Sequence, residues 1–157
     1  MAITLFSFGY YGWGNHTPQL VEAVDAVEHS RGYEPPIFVD IRIRRSGRAA
    51  GFIGHAFEKL LGPILYRWMR ALGNESILNK TDPPIQIADP AAAGGLLDLA
   101  LDLDSAGNKQ RLLFFCSCQW PRDGETLCHR TAVAELVLES ARERCAWPAT
   151  EILYHGL

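Results

Sequence analysis

The first 43 residues carry the feature that constrains the fold most, a strand pattern, a helix pattern and a second strand pattern in succession. Residues 3–8 form an apolar, β-rich run that ends at Gly9 and is typical of a strand. Thr17-Pro18 resembles a helix N-cap followed by proline, and Gly32 follows the last apolar position of that helix. Residues 36–43 are nearly continuous in apolar side chains, as in a strand buried on both faces. This order predicts parallel strands joined by a right-handed crossover.

The middle of the chain continues with helical patterns. Apolar side chains keep a helical period over residues 57–72, although Gly62-Pro63 predicts a break or kink within it. Asp89-Pro90 is typical of the start of another helix, whose apolar positions extend to Leu103.

The C-terminal third repeats the alternation of strand and helix. Residues 111–118 predict a third strand, residues 131–144 predict an amphipathic helix, and residues 150–155 predict a short closing strand. Strands that alternate with helices favour an α/β class. We therefore expect one three-layer domain over residues 1–157, with a mostly parallel, open, Rossmann-like sheet.

Composition excludes several classes of protein. The 157 residues are 48% hydrophobic and 21% charged, which is typical of a globular domain rather than a disordered chain. A net charge of −3 argues against a broad surface for duplex DNA, although a local basic patch is compatible with it. No apolar run reaches the roughly 18 residues of a membrane span, and residues 1–15 lack the basic segment of a secretory signal. These features predict a cytoplasmic protein with no membrane partner and leave its oligomeric state open.

A cluster of arginines follows the second predicted strand. Four of them lie within seven residues: Arg42, Arg44, Arg45 and Arg48. Guanidinium groups bind phosphate and carboxylate through two parallel hydrogen bonds, so Arg42 and Arg48 are candidates for binding an anionic substrate. Asp40 is a candidate general base, or it orients Arg42. The alternative is a structural ion pair beside a solvated loop.

The segment from Cys116 to Arg130 is the second candidate site. A thiol near a helix N-terminus and beside histidine or arginine has a lowered pKa. Cys128 meets these conditions if the last helix begins near His129, and Cys116 is the second candidate nucleophile. His129 is a candidate for proton transfer, and Arg130 for binding a substrate oxyanion. These residues predict a thiol-dependent hydrolase or transferase.

Other interpretations of the cysteines remain open. Zinc or iron can be bound by Cys116, Cys118, Cys128 and His129, although adjacent Cys-His ligands strain the backbone. Cys116 and Arg122 have the C-x5-R spacing of a tyrosine-phosphatase phosphate loop, in which Pro121 would remove a needed amide. The cysteines can also be buried structural residues. We expect no tightly bound metal and no other cofactor.

Aromatic residues after the first strand suggest a non-catalytic alternative. Tyr10, Tyr11 and Trp13 can stack on a flat ligand such as a base. With the arginines, they would form a module that binds a nucleotide or single-stranded nucleic acid, with structural cysteines. In either case the partner is an anionic small molecule or nucleotide.

The topology predicts where these candidates meet. Ligands of open α/β sheets bind beyond the carboxyl ends of the strands. We therefore expect one cleft at that edge, with Tyr10 nearby, lined by these residues: Asp40, Arg42, Arg48, Cys116, Cys128, His129 and Arg130.

The combination of motifs resembles the bacterial domain-of-unknown-function family 488. The matching residues span nearly the whole chain in order: Gly9-Tyr10, Asp40 and Arg42, Ser46 and Arg48, Gly51-Phe52, Leu72-Gly73, Cys116, and Cys128-His129-Arg130. The family commonly has an acidic residue two positions after the first cysteine, where this chain has Cys118. The resemblance implies a compact α/β domain with a shared Asp, Arg, Cys, His and Arg site, and it implies no substrate.

Overall fold

The computed structural model describes residues 4–80, 85–105, 107, 109–117 and 129–144. Its strands form one sheet in the order β1-β4-β2-β3, and each neighbouring pair is parallel. The strands are β1 (Leu5–Gly9), β2 (Glu34–Asp40), β3 (Tyr66–Trp68) and β4 (Gln110–Cys116). The predicted α/β class with a parallel sheet is confirmed.

Helices connect the strands, as the alternating pattern predicts. They are α1 (Thr17–Ser30), α2 (Ala56–Leu61), α3 (Ser76–Asn79), α4 (Ala93–Ser105) and α5 (His129–Arg144), with short 3-10 turns at Ala50–Phe52, Arg70–Leu72 and Pro90–Ala92. The Asp89 side chain accepts a hydrogen bond from the Ala91 amide, which is the N-cap that Asp89-Pro90 predicts. Within the described ranges, none of the helices is long and apolar enough to cross a membrane.

Two hydrophobic cores cover the two faces of the sheet. Alternate residues of β4 divide between them, because successive strand side chains point to opposite faces. Leu112, Phe114 and Cys116 pack with α4 and α5, whereas Leu113 and Phe115 pack with α1, α2 and the 50–52 turn. The helices and the sheet therefore form the three layers of the predicted domain. We call these the α4/α5 face and the α1/α2 face.

The helical prediction over residues 57–72 is wrong after Leu61. Gly62 has a φ of +84°, a left-handed conformation that glycine adopts easily, and Pro63 prevents the helix from continuing. The chain then pairs along the free edge of β2 as the short strand β3. The backbone hydrogen bonds of that edge decide the structure, which a helical period of side chains does not reveal.

Two other strand predictions have different outcomes. β4 ends at Cys116, two residues before the predicted end at Cys118. The predicted strand at 150–155 lies outside the described residues.

Candidate functional site

Asp40 is the centre of a buried polar cluster at the carboxyl end of β2. Its side chain is fully buried. Oδ1 accepts hydrogen bonds from the backbone amide of Arg42 at 3.1 Å and from Nε at 2.9 Å. Oδ2 accepts from Arg42 Nη2 at 2.7 Å and from the Tyr66 hydroxyl at 2.7 Å. All these donors come from the protein, so the carboxylate is held as the acceptor of a structural ion pair.

Arg42 uses the rest of its guanidinium to join two loops. Nη1 donates to the Tyr10 hydroxyl at 3.1 Å and to the Phe52 carbonyl at 2.8 Å. Burial lowers the pKa of Arg42, but its hydrogen bonds and its proximity to Asp40 raise it by more. Four of the five guanidinium N–H groups thus have protein acceptors, so Arg42 has little capacity left for an anionic ligand.

Tyr66 and Arg45 extend the cluster toward solvent. Burial and the nearby Asp40 carboxylate raise the pKa of Tyr66. The Arg45 guanidinium lies over the Trp68 ring at 4.2 Å and donates to Glu58 at 3.2 Å. The Trp68 indole in turn donates to the Arg42 carbonyl at 2.8 Å. Sequence patterns did not reveal Tyr66 as a site residue, because it lies on β3, a strand that they did not predict.

A cleft of about 430 Å³ opens beyond the carboxyl ends of β1 and β4. It is lined by residues of the β1–α1 loop, by residues 46–49 and by Ser117. The two loops touch closely, because the Gly51 amide donates to the Gly14 carbonyl at 2.8 Å. A Cβ on Gly14 would lie 2.6 Å from the Ala49 Cα, so this approach requires glycine.

The cleft brings together two predicted site residues, Tyr10 and Arg48. Tyr10 is buried and stacks on Phe52 at 3.9 Å between ring centroids, so its ring is already covered by the protein. Arg48 is exposed, and Tyr11 is 67% exposed. Arg48 and Tyr11 therefore have side chains accessible to a ligand in this cleft. The other exposed side chains that line it are Asn15, His16, Ser46 and Ser117.

Cys116 and His129 lie on the opposite face of the sheet. Cys116 ends β4 in the α4/α5 core, and His129 begins α5 and is buried. The His129 Nε2 donates to the Leu72 carbonyl at 2.6 Å, because a carbonyl oxygen can only accept. A neutral ring then carries its basic lone pair on Nδ1.

The Leu72 carbonyl is a site group that sequence patterns did not predict. A Cβ on Gly73 would lie 2.5 Å from the backbone nitrogen of Ile43. Glycine thus lets the Leu72-Gly73 backbone lie against the segment that follows Arg42. Leu72-Gly73 thus contacts both His129 and the segment that follows Arg42.

Arg130 is the second residue of α5 and is completely buried. Among the described residues, neither its Nε nor its two Nη atoms have a hydrogen-bond partner. The first turn of α5 contains no acidic residue. This side chain is therefore a buried cation without a counter-charge bonded to it in the described part of the chain.

The predicted site residues form two groups at the carboxyl edge of the sheet. On the α1/α2 face, Arg42 donates hydrogen bonds to both Asp40 and Tyr10. Cys116, His129 and Arg130 lie on the α4/α5 side. The groups are close along the edge, because the Tyr10 amide donates to the Cys116 carbonyl at 3.1 Å.

The remaining candidate residues lie outside the described residues: Cys118, Arg122 and Cys128. Cys118 and Cys128 belong to the four residues predicted as possible zinc or iron ligands.

In the described part of the chain, no group of three His, Cys, Asp or Glu residues could hold a metal ion. Comparisons with protein-family models, curated proteins and solved structures found no match to this chain. The resemblance to family 488 stays a prediction.

Proposed function

We propose that this protein is an enzyme that acts on a small anionic molecule through a thiol, with His129 as the group that transfers protons. The observation that carries the proposal is the hydrogen bond from His129 Nε2 to the Leu72 carbonyl. Cys128 directly precedes His129 in the sequence. A buried histidine with a fixed orientation and the cysteine next to it in the chain supply the two groups of a thiol–imidazole pair.

The Leu72 carbonyl supports this role in a specific way. A nucleophile and its base work best when a third group orients the base. Because Nε2–H donates to Leu72, Nδ1 is the nitrogen of the neutral ring that can accept a proton. Cys128 is the proposed nucleophile, and Cys116 is the less favoured one because it is buried in the core.

The proposed reaction is a hydrolase or transferase step. The thiol proton moves to His129, and the thiolate sulfur forms a bond to an electrophilic carbon or phosphorus of the substrate. The leaving group departs with the bonding electrons and takes the proton from His129. Water or a second acceptor then cleaves the acyl- or phosphoryl-enzyme.

The substrate class follows from the arginines that remain available. Arg48 lines the cleft and is exposed, and phosphate and carboxylate are the groups that guanidinium binds best. We therefore propose a phosphate- or carboxylate-bearing substrate, such as a nucleotide. Asp40 and Arg42 have a positioning role, because they hold Tyr10 and the Phe52 backbone beside the cleft.

A second candidate function is a non-catalytic module for a nucleotide or single-stranded nucleic acid. Tyr11 favours it, because an aromatic ring that is 67% exposed lines the same cleft as Arg48. A base stacked on Tyr11 would leave its phosphate near Arg48. The cysteines would then be structural.

The pH dependence of iodoacetamide labelling distinguishes the two functions. For the enzyme, we expect Cys128 to titrate well below the usual thiol pKa of about 8.5. His129→Gln, which still has an amide to donate to Leu72 but no base, should raise that pKa. His55→Gln is the matched control, because His55 is 67% exposed and is bonded to Glu58.

Labelling of every cysteine near pH 8.5, or only after unfolding, would contradict the enzyme and favour the module. For the module, Tyr11→Ala and Arg48→Gln should each weaken binding of adenosine monophosphate, while labelling is unchanged.

A further inference from the structure

Arg130 differs from the other buried arginines of this protein. The buried guanidinium of Arg42 is paired with Asp40 at 2.7 Å, and the half-buried Arg111 binds Glu28 at 2.8 Å. Arg130 is more deeply buried than either, with no exposed surface. Yet none of its three guanidinium nitrogens has a partner within the described ranges. Among the described residues, the guanidinium groups of Arg42 and Arg111 are thus paired with carboxylates, and that of Arg130 is not.

An unpaired buried guanidinium is costly for two reasons. Burying an isolated charge is strongly unfavourable, and most groups escape the cost by changing their protonation state. Arginine cannot do so, because its pKa stays above about 12 in proteins.

The position of Arg130 in α5 adds to this cost. The N-terminus of a helix carries a partial positive charge, which disfavours a cation in the first turn. Arg130 is the second of the 16 residues of α5, and no acidic residue of that turn offsets it. Helical side chains generally lean toward the N-terminus of their helix, so a residue this early in α5 stays close to that positive end.

We propose that an oxyanion, the phosphate or carboxylate group of a ligand, binds to Arg130 at the N-terminus of α5. The guanidinium offers a bidentate contact to this group, and the partial positive charge of the helix N-terminus also favours an anion there. The anion supplies the negative charge that the described residues do not provide. The site lies on the α4/α5 side of the sheet, and the Asp40–Arg42 pair lies on the other face. Identifying this anion as part of the substrate rests on the proposed function, whereas anion binding by Arg130 does not.

Thermal unfolding of the full chain in different anions tests the proposal. We compare inorganic phosphate and acetate with chloride at equal ionic strength, so that the arms separate phosphate from carboxylate recognition. At a concentration a hundredfold above the dissociation constant, the favoured oxyanion should raise Tm by about 5–10 °C. Arg130→Met should abolish this rise. Arg142→Met is the matched control, because Arg142 is exposed in the last turn of the same helix.

The chloride arm gives a second, independent result. Arg130→Met should be at least as stable as the wild type in chloride, because it replaces an unpaired buried charge with an apolar side chain of similar length. A second variant, Arg130→Lys, keeps the charge but loses the bidentate geometry. It should weaken phosphate or acetate binding by at least about tenfold.

Three results would overturn the proposal. They are equal anion stabilisation in wild type and Arg130→Met, no response of the wild type to phosphate or acetate, and a methionine variant that is several degrees less stable in chloride. The outcomes also separate the two proposals. If Arg130 binds an anion but every thiol has an ordinary pKa, this inference stands and the proposed enzymatic function is contradicted. If Cys128 is reactive but Arg130→Met has no effect on anion stabilisation, the enzymatic function stands and this inference is contradicted.

Discussion

Replacing Asp40 with asparagine tests the physical role of the buried cluster at the end of β2. The substitution conserves volume but removes the charge that neutralises Arg42. One carbonyl oxygen can keep the contacts of Oδ1 with Arg42. The new amide group then faces Arg42 Nη2 and the Tyr66 hydroxyl, the two donors that Oδ2 accepts at 2.7 Å.

The expected loss of stability follows from these contacts. The Tyr66 hydroxyl can rotate to accept from the new amide, but a guanidinium nitrogen cannot accept. Arg42 is only 6% exposed, so its charge stays buried without compensation. Breaking a buried pair by removing one partner costs about 3–5 kcal/mol. For a domain of this size, that lowers Tm by roughly 6–20 °C.

Urea unfolding measured by tryptophan fluorescence provides the assay, because Trp68 donates to the Arg42 carbonyl. The midpoint should fall while the m-value stays constant. Asp40→Asn combined with Arg42→Met should recover part of the loss, because the double variant leaves no uncompensated charge. Glu58→Gln is the matched control, and loss of its surface pair with Arg45 should lower the midpoint far less than loss of the buried pair.

A cost below about 1 kcal/mol for Asp40→Asn would refute the reasoning. Additive effects of the two substitutions would refute it as well, because a buried pair predicts strong coupling between them.

The remaining predictions concern two neighbours of the site. Burial and Asp40 raise the pKa of Tyr66 above its ordinary value of 10.0, so the unfolded chain releases this proton first. Stability should fall as the pH rises above 10, and Tyr66→Phe should show a shallower fall in urea midpoints between pH 9 and 11. Gly73→Ala places a Cβ 2.5 Å from the Ile43 backbone and should cost about 1–3 kcal/mol in the same assay. Gly94→Ala in α4, whose nearest neighbour is 3.6 Å away, should be neutral or stabilising; equal losses in both variants would contradict the close approach at Gly73.

The sequence alone determined the parts of the fold that depend on local pattern. The helix after Thr17-Pro18 and the strands predicted at 36–43 and 111–118 follow from short-range periodicity. The exact ends do not: the strands end earlier, at Asp40 and Cys116, and the N-cap of α1 is His16 rather than Thr17. The parallel sheet follows from the order of these elements. The carboxyl edge of the sheet was therefore predictable as the edge that Asp40 and Cys116 reach, although these two residues lie on opposite faces of the sheet.

The region between residues 57 and 72 shows where local pattern is insufficient. Its apolar side chains fit a helix, but the segment after Gly62 forms β3 because β2 offers an edge with unpaired backbone groups. Tyr66 reaches Asp40 through that pairing. A hydrogen-bonding edge is a property of the assembled sheet, so local pattern revealed neither the strand nor the tyrosine.

The tertiary structure also decided how the site residues are divided. Asp40 pairs with Phe115 in the register of β2 and β4, so it shares the face of Phe115 and not that of Cys116. Side chains alternate along a strand, and a shift of one residue in register would exchange the two faces. The motifs determine which residues reach the edge of the sheet. Strand register, which depends on the packing of both cores, places the Asp40–Arg42 pair on one face and Cys116 on the other.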